Sequence, residues 1–156
     1  MHDERWQTAS EVVYAAARVV SGWVFLQHGA QKLFGVLGGF GGEPGGTAEL
    51  VSLMGLAGVI EFFGGVLILL GLGTRVAAFI SSGEMAVAYF MAHASRGFLW
   101  TVSNRGEVPA ILAFLFLYFA IRGGGRYSLD AVIAGMRHKR VTPAPAGTAT
   151  AVPRSG

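Results

Sequence analysis

Between residues 12 and 121 the chain carries only ten Asp, Glu, Lys and Arg residues. That scarcity constrains the fold more than any motif does. A soluble helical domain needs a polar outer stripe on each helix, and this stretch cannot supply one. Lipid removes the requirement, because the outside of a bundle can then be as apolar as its inside. With 156 residues, 53% of them hydrophobic and 13% charged, the chain is long enough for one domain.

The apolar residues fall into four segments, at 12–37, 50–72, 76–94 and 108–121. A helix needs roughly 20 residues to cross the hydrocarbon core. The fourth segment is short, but Pro109 suits the first turn of a helix. The predicted fold is all-α, a four-helix transmembrane bundle over residues 12–130. Residues 1–11 read as a polar cytoplasmic N-terminus. The first segment contains Arg18 and lacks a small-residue cleavage site, so it is not read as a cleaved signal peptide. GVLGGFGGEPGGTAE follows a membrane helix and lacks a GKS/T ending, so it reads as a flexible linker rather than a phosphate cradle. Gly73, Thr74 and Arg75 predict a tight turn. Residues 131–156 are basic and then rich in Pro, Ala and Thr, the composition of a disordered cytoplasmic tail.

Four spans place both termini on one side. That side would hold Arg5, Arg75, Arg122, Arg126, Arg137, Lys139, Arg140 and Arg154, against Arg96 and Arg105 on the other. The positive-inside rule then puts both termini in the cytoplasm of a multi-pass inner-membrane protein. The net charge of +3 is a topology signal rather than a nucleic-acid footprint, so no nucleic-acid partner is expected. The absence of cysteine excludes disulfides, thiolate metal sites and iron–sulfur ligation by this chain. Redox chemistry would have to run through a bound cofactor or a partner, and no metal site is read from the sequence.

An ionisable side chain at membrane depth costs about 2.5–3.5 kcal/mol on insertion scales. The candidate polar residues inside the spans and at their outer ends are Arg18, His28, Lys32, Glu61, Glu84, His93, Asn104 and Glu107. At about 100° per residue, Arg18, Gly22, Phe25, His28, Gly29 and Lys32 share one face, where the glycines would admit a neighbouring helix. Gly58, Gly64 and Gly65 bracket Glu61 in the same way. Depth, at about 1.5 Å per residue, suggests two layers. The inner layer would pair Arg18 with Glu84, Glu61 or both. The outer one would hold His28, His93, Lys32, Asn104 and Glu107. Glu84 and His93, nine residues apart, fall on opposite sides of an ideal helix and need a kink to face one point. Structural readings stand beside these. An Arg–Glu pair can serve only to fix helix register. Two histidines at one depth can ligate haem, but hydrogen-bonded core histidines are commoner and haem is disfavoured here. Glu107 can simply favour a helix N-terminus.

RVVSGWVFLQHGAQKLFG, the EFFGGVLILLGLGTRVAAF stretch, GEMAVAYFMAHASRGF, NRGE and GRYSLD occur in that order, and together they resemble the DoxX family of small bacterial integral membrane proteins. The resemblance covers nearly all of residues 14–130. It implies a four-helix membrane domain in a bacterial plasma membrane. Some relatives are membrane subunits of a thiosulfate:quinone oxidoreductase, and others belong to oxidoreductase complexes that handle oxidative and thiol stress. The family's recurring polar positions fall on His28, Lys32, Glu61, Arg75, His93, Asn104 and Glu107, with Glu84 in a variant third span. NRGE departs from the more usual NGGE, Arg105 replacing a glycine, and Pro109 is also unusual there.

The leading expectation is a non-catalytic membrane subunit of a quinone-linked or oxidative-stress oxidoreductase system, with soluble oxidoreductase partners. Quinone would reach His28, His93 or Glu61 from the lipid bilayer. One alternative is a small-solute or proton transporter module acting as a homo-oligomer, with Arg18, Glu84, Glu61 and His28 as its path. Another is an anchor that scaffolds soluble enzymes through the basic tail.

Overall fold

The computed structural model describes residues 2–98 and 101–141. All regular structure among them is helical. Helix α1 spans His2–Phe34, α2 Leu53–Leu70, α3 Thr74–Ala88, α4 Thr101–Asn104, α5 Glu107–Arg122 and α6 Leu129–Val141. A π-helical turn, Tyr89–His93, and a 3₁₀ turn, Ala94–Arg96, continue α3. The four apolar segments of the sequence correspond to α1, α2, α3 with its continuation, and α5. Two helices are long and apolar enough to cross a membrane by length and composition, Asp3–Phe34 and Leu53–Leu70.

Helix α1 has 33 residues, a length of about 50 Å, so it outruns a hydrocarbon core of about 30 Å. The polar N-terminal segment is therefore not a separate strand of coil but the first turns of that helix. Small residues set the α1–α2 contact. A Cβ on Gly22 would lie 2.7 Å from the Leu69 nitrogen, and one on Gly29 would overlap the Phe62 backbone. Phe25, Ile68, Ala78, Met85, Phe116 and Phe119 bring α1, α2, α3 and α5 into one core. The Phe25 and Phe116 rings meet edge to face at 4.9 Å. Outside that core the surface is apolar: Val13, Val76, Phe79, Ile111 and Phe114 are each more than 60% exposed.

Both ends of α2 have an identifiable cause. Ser52 caps α2, its hydroxyl accepting from the Gly55 N–H at 3.1 Å. Gly71, at φ +70°, closes α2 with a left-handed cap, and the predicted tight turn at 73–75 leads directly into α3.

Two expectations need correction. The Gly-rich segment between α1 and α2 is a folded loop rather than a free linker. The Phe40 N–H donates to Gly46 O at 2.8 Å, and the Ala48 N–H donates to Lys32 O at 2.8 Å, seating the loop over the end of α1. Disorder was expected from residue 131, yet residues up to Val141 are helical. Ser128 nucleates that helix by accepting from the Ala131 N–H at 3.2 Å, a local signal that the polar composition obscures. Residues 142–156 lie outside the described residues, as does the remainder of that expectation.

Candidate functional site

The close α1–α2 crossing decides which charges meet. A Cβ on Gly58 would stand 3.0 Å from Lys32 Cβ, so the absence of one lets the lysine lie along α2 towards Glu61. Lys32 Nζ donates to both carboxylate oxygens of Glu61, at 2.7 and 2.6 Å. Both side chains are largely buried, and each compensates the other's charge.

The third helix brings two more polar groups to this place. Lys32, Glu61, Glu84 and His93 line one cavity of about 460 Å³, whose remaining wall includes Leu53, Met54, Ile60, Ile80, Val87 and Met91. The kink that Glu84 and His93 require is present. The π-turn Tyr89–His93 widens the helix to i→i+5 bonding and swings His93 onto the face occupied by Glu84. Glu84 Oε2 is buried and has no hydrogen-bond partner among the described residues.

Beyond the cavity, Asn104 organises the loop that follows the π-turn. It is fully buried. Its amide nitrogen donates to Gly97 O at 2.8 Å and to the Tyr89 hydroxyl at 3.3 Å. Its amide oxygen accepts from the Gly106 N–H at 2.7 Å, and its main-chain oxygen lies 2.8 Å from His93 Nδ1. The Tyr89 hydroxyl donates to Phe98 O. The departure at NRGE carries a conformational cost, because Arg105 sits at φ +59°, the left-handed region that favours glycine.

Three candidates lie elsewhere. Arg18 is buried, but it pairs with neither glutamate. Its guanidinium donates to Ile68 O and Leu69 O at 2.6 Å each and to Tyr127 O at 2.7 Å. Ile68 and Leu69 supply two of the last carbonyls of α2, so the arginine caps that helix end and ties it to Tyr127. Glu61 is seven residues back along α2, about 10 Å away in rise. The inner Arg–Glu layer is thus replaced by a capping arginine. His28, at the edge of the predicted face of α1, is exposed and is not among the residues that line the cavity. Glu107 is partly buried in the first turn of α5 and does not line the cavity. Of the column Arg18, Glu84, Glu61 and His28 expected of a permeation path, Glu61 and Glu84 line this cavity and Arg18 and His28 do not.

A polar clasp at the opposite end of the molecule was not foreseen. The Asp130 carboxylate accepts from the Gly73 N–H at 2.8 Å, the Thr74 N–H at 2.9 Å and the Thr74 hydroxyl at 2.8 Å, capping α3. Burial alone would raise the Asp130 carboxyl, but the Thr74 and Gly73 donors outweigh it and hold the group below its ordinary value. Arg75 donates to Ala120 O at 3.3 Å and to Ile121 O, covering the end of α5. Arg122 pairs with Glu11 and stacks 3.9 Å over the Tyr14 ring, whose hydroxyl donates to Gly123 O. The Ser and Asp of GRYSLD are the kind of residue that caps helices, but nothing in the sequence says that Asp130 reaches the start of a different helix.

The DoxX family model matches residues 13–94. An uncharacterized protein of Haemophilus influenzae is 42% identical over 118 residues, 74% of this chain and 87% of that protein. An uncharacterized membrane protein of Mycobacterium tuberculosis is 34% identical over 72% of this chain and 76% of its own length. The inner membrane protein YqjF of Escherichia coli is 28% identical over 79% of this chain and 93% of its own length. No solved structure matches the chain. The matched residues run from within α1 to just past the π-turn and so take in Lys32, Glu61, Glu84 and His93, and this chain is a membrane protein of the DoxX family.

Proposed function

We propose that this protein is a four-span bundle of α1, α2, α3 with its continuation, and α5, with both termini in the cytoplasm, and that it is the membrane subunit of an oxidoreductase system that takes a quinone from the lipid. The carrying observation is the cavity of about 460 Å³ in which an apolar wall meets Lys32, Glu61, Glu84 and His93. That size and lining suit a small amphipathic molecule, with a few polar groups to orient it. Ionisable groups at this depth are expensive and ordinarily mark a functional path. A chain without cysteine leaves any thiol or sulfur chemistry to a soluble partner.

The test is titration of purified protein in lipid nanodiscs with decylubiquinone. Saturable binding is expected, and Ala57→Trp, which fills the cavity from α2, should abolish it. Absence of saturable binding, or binding that Ala57→Trp leaves intact, would reject the quinone site.

A further inference from the structure

We propose that the cavity is built for a ligand that donates hydrogen bonds: within the quinone class, the reduced, hydroxyl-bearing quinol rather than the oxidised quinone. This rests on the quinone reading above and adds which redox form the site holds.

The inference follows from which polar atoms in the cavity remain free. Glu61 has both oxygens engaged by Lys32, at 2.7 and 2.6 Å. His93 Nδ1 lies 2.8 Å from the main-chain oxygen of Asn104. A carbonyl oxygen only accepts, so Nδ1 must carry the proton. In the neutral ring that leaves Nε2 as a bare acceptor, with no partner among the described residues. Glu84 Oε2 is buried without a partner among the described residues, and both residues line the cavity.

A quinol hydroxyl both donates and accepts, whereas a quinone carbonyl only accepts. The hydroxyl can therefore donate to His93 Nε2 and can pair with Glu84 whether that carboxyl is ionised or protonated. The carbonyl can pair with Glu84 only when it is protonated, and never with the bare Nε2. A third N–H of Lys32 is indifferent, since hydroxyl and carbonyl oxygens both accept it. Placing a quinone here would leave Nε2 unmatched, and would leave the buried Glu84 Oε2 without a donor whenever that carboxyl is ionised, which is the costlier error. The backbone fixes this preference: Asn104 is held by Gly97, Gly106 and Tyr89, so the His93 tautomer is set by the loop rather than by the ligand.

The experiment compares decylubiquinol, kept reduced under anaerobic conditions, with decylubiquinone on the same nanodisc preparation. The quinol is expected to bind about tenfold more tightly, one good hydrogen bond's worth of discrimination. His93→Phe should bring the two affinities towards parity mainly by weakening the quinol. Nitrogen NMR of ring-labelled histidine in the unliganded protein should show His93 protonated at Nδ1 and bare at Nε2, a readout that does not depend on any variant folding. Equal or tighter binding of the quinone, or a ring protonated at Nε2, overturns the inference while leaving the quinone reading in place. Failure of both ligands to bind overturns the two together.

Discussion

Lys32 Nζ lies 2.7 Å from Glu61 Oε1 and 2.6 Å from Oε2, with the lysine side chain 16% and the glutamate 4% exposed. The pair joins the end of α1 to the middle of α2 and forms the polar floor of the cavity. Removing one partner of such a pair strands the other charge, at a cost of about 3 kcal/mol. Glu61→Gln or Lys32→Met is therefore expected to destabilise the protein by about that amount in reversible unfolding from mixed micelles, and the double variant Lys32→Met/Glu61→Met by much less. Losses that simply add would mean that the two charges do not compensate each other.

The α1–α2 crossing depends on the absence of side chains at Gly22 and Gly29. A Cβ at Gly29 would overlap the Phe62 backbone, which cannot step aside as a flexible side chain can. Gly29→Ala should cost about 1–3 kcal/mol by overpacking. Gly83, in α3, faces open space, so Gly83→Ala should be neutral or stabilise by up to about 1 kcal/mol. The same unfolding measurement checks both, and equal effects at the two positions would contradict the packing argument.

Much of this architecture was legible in the sequence because lipid makes hydropathy informative. The four apolar segments, the tight turn at 73–75 and the glycine-lined α1–α2 contact follow from periodicity and residue size. The pairing of charges was not legible. Helix geometry put Arg18, Gly22 and Lys32 on one face correctly, but it could not say that Lys32 would reach Glu61 while Arg18 would cap the end of α2. Nor could it place His93. An ideal helix turns it away from Glu84, and no residue pattern within Tyr89–His93 announces a π-turn. The Asp130 cap was hidden for a different reason. It links residues far apart in sequence, and spacing rules describe only near neighbours.

Asp130 gives a prediction in pH. Its three donors hold the carboxyl below its ordinary value. The stability it contributes is therefore fully present above the unfolded-state pKa of about 3.9, and it is lost as pH falls through the lower folded value. Asp130→Asn should cost about 1 kcal/mol at neutral pH, the usual worth of a helix cap, and should flatten the fall in stability below about pH 4. A variant whose stability falls as steeply with acid as the parent protein's would assign that fall to other carboxylates.

Arg105 at φ +59° offers a gain instead of a loss. A non-glycine residue in that region costs about 1–2 kcal/mol, partly offset in glycine by greater freedom of the unfolded chain. Arg105→Gly should therefore stabilise the protein by up to about 1 kcal/mol. A fall in the unfolding midpoint would show that the arginine side chain makes a contact worth more than the strain.

The four-span topology can be tested cleanly because the chain contains no cysteine, so a single introduced thiol is the sole target for a maleimide. Ser10 is exposed on the N-terminal part of α1, Thr47 in the loop between α1 and α2, and Ser95 in the turn after His93. If α1 and α2 alone crossed the bilayer, Ser95 would lie on the same side as Ser10. If all four segments cross, Ser95 lies with Thr47. A membrane-impermeant maleimide added to intact cells should label Thr47→Cys and Ser95→Cys, and should label Ser10→Cys only after the cells are opened. Labelling of Thr47→Cys without Ser95→Cys would reduce the protein to two crossings and leave α3 and α5, with Glu84 and His93, on the cytoplasmic side. The quinone reading would then lose its route from the lipid, since the cavity would no longer sit at membrane depth.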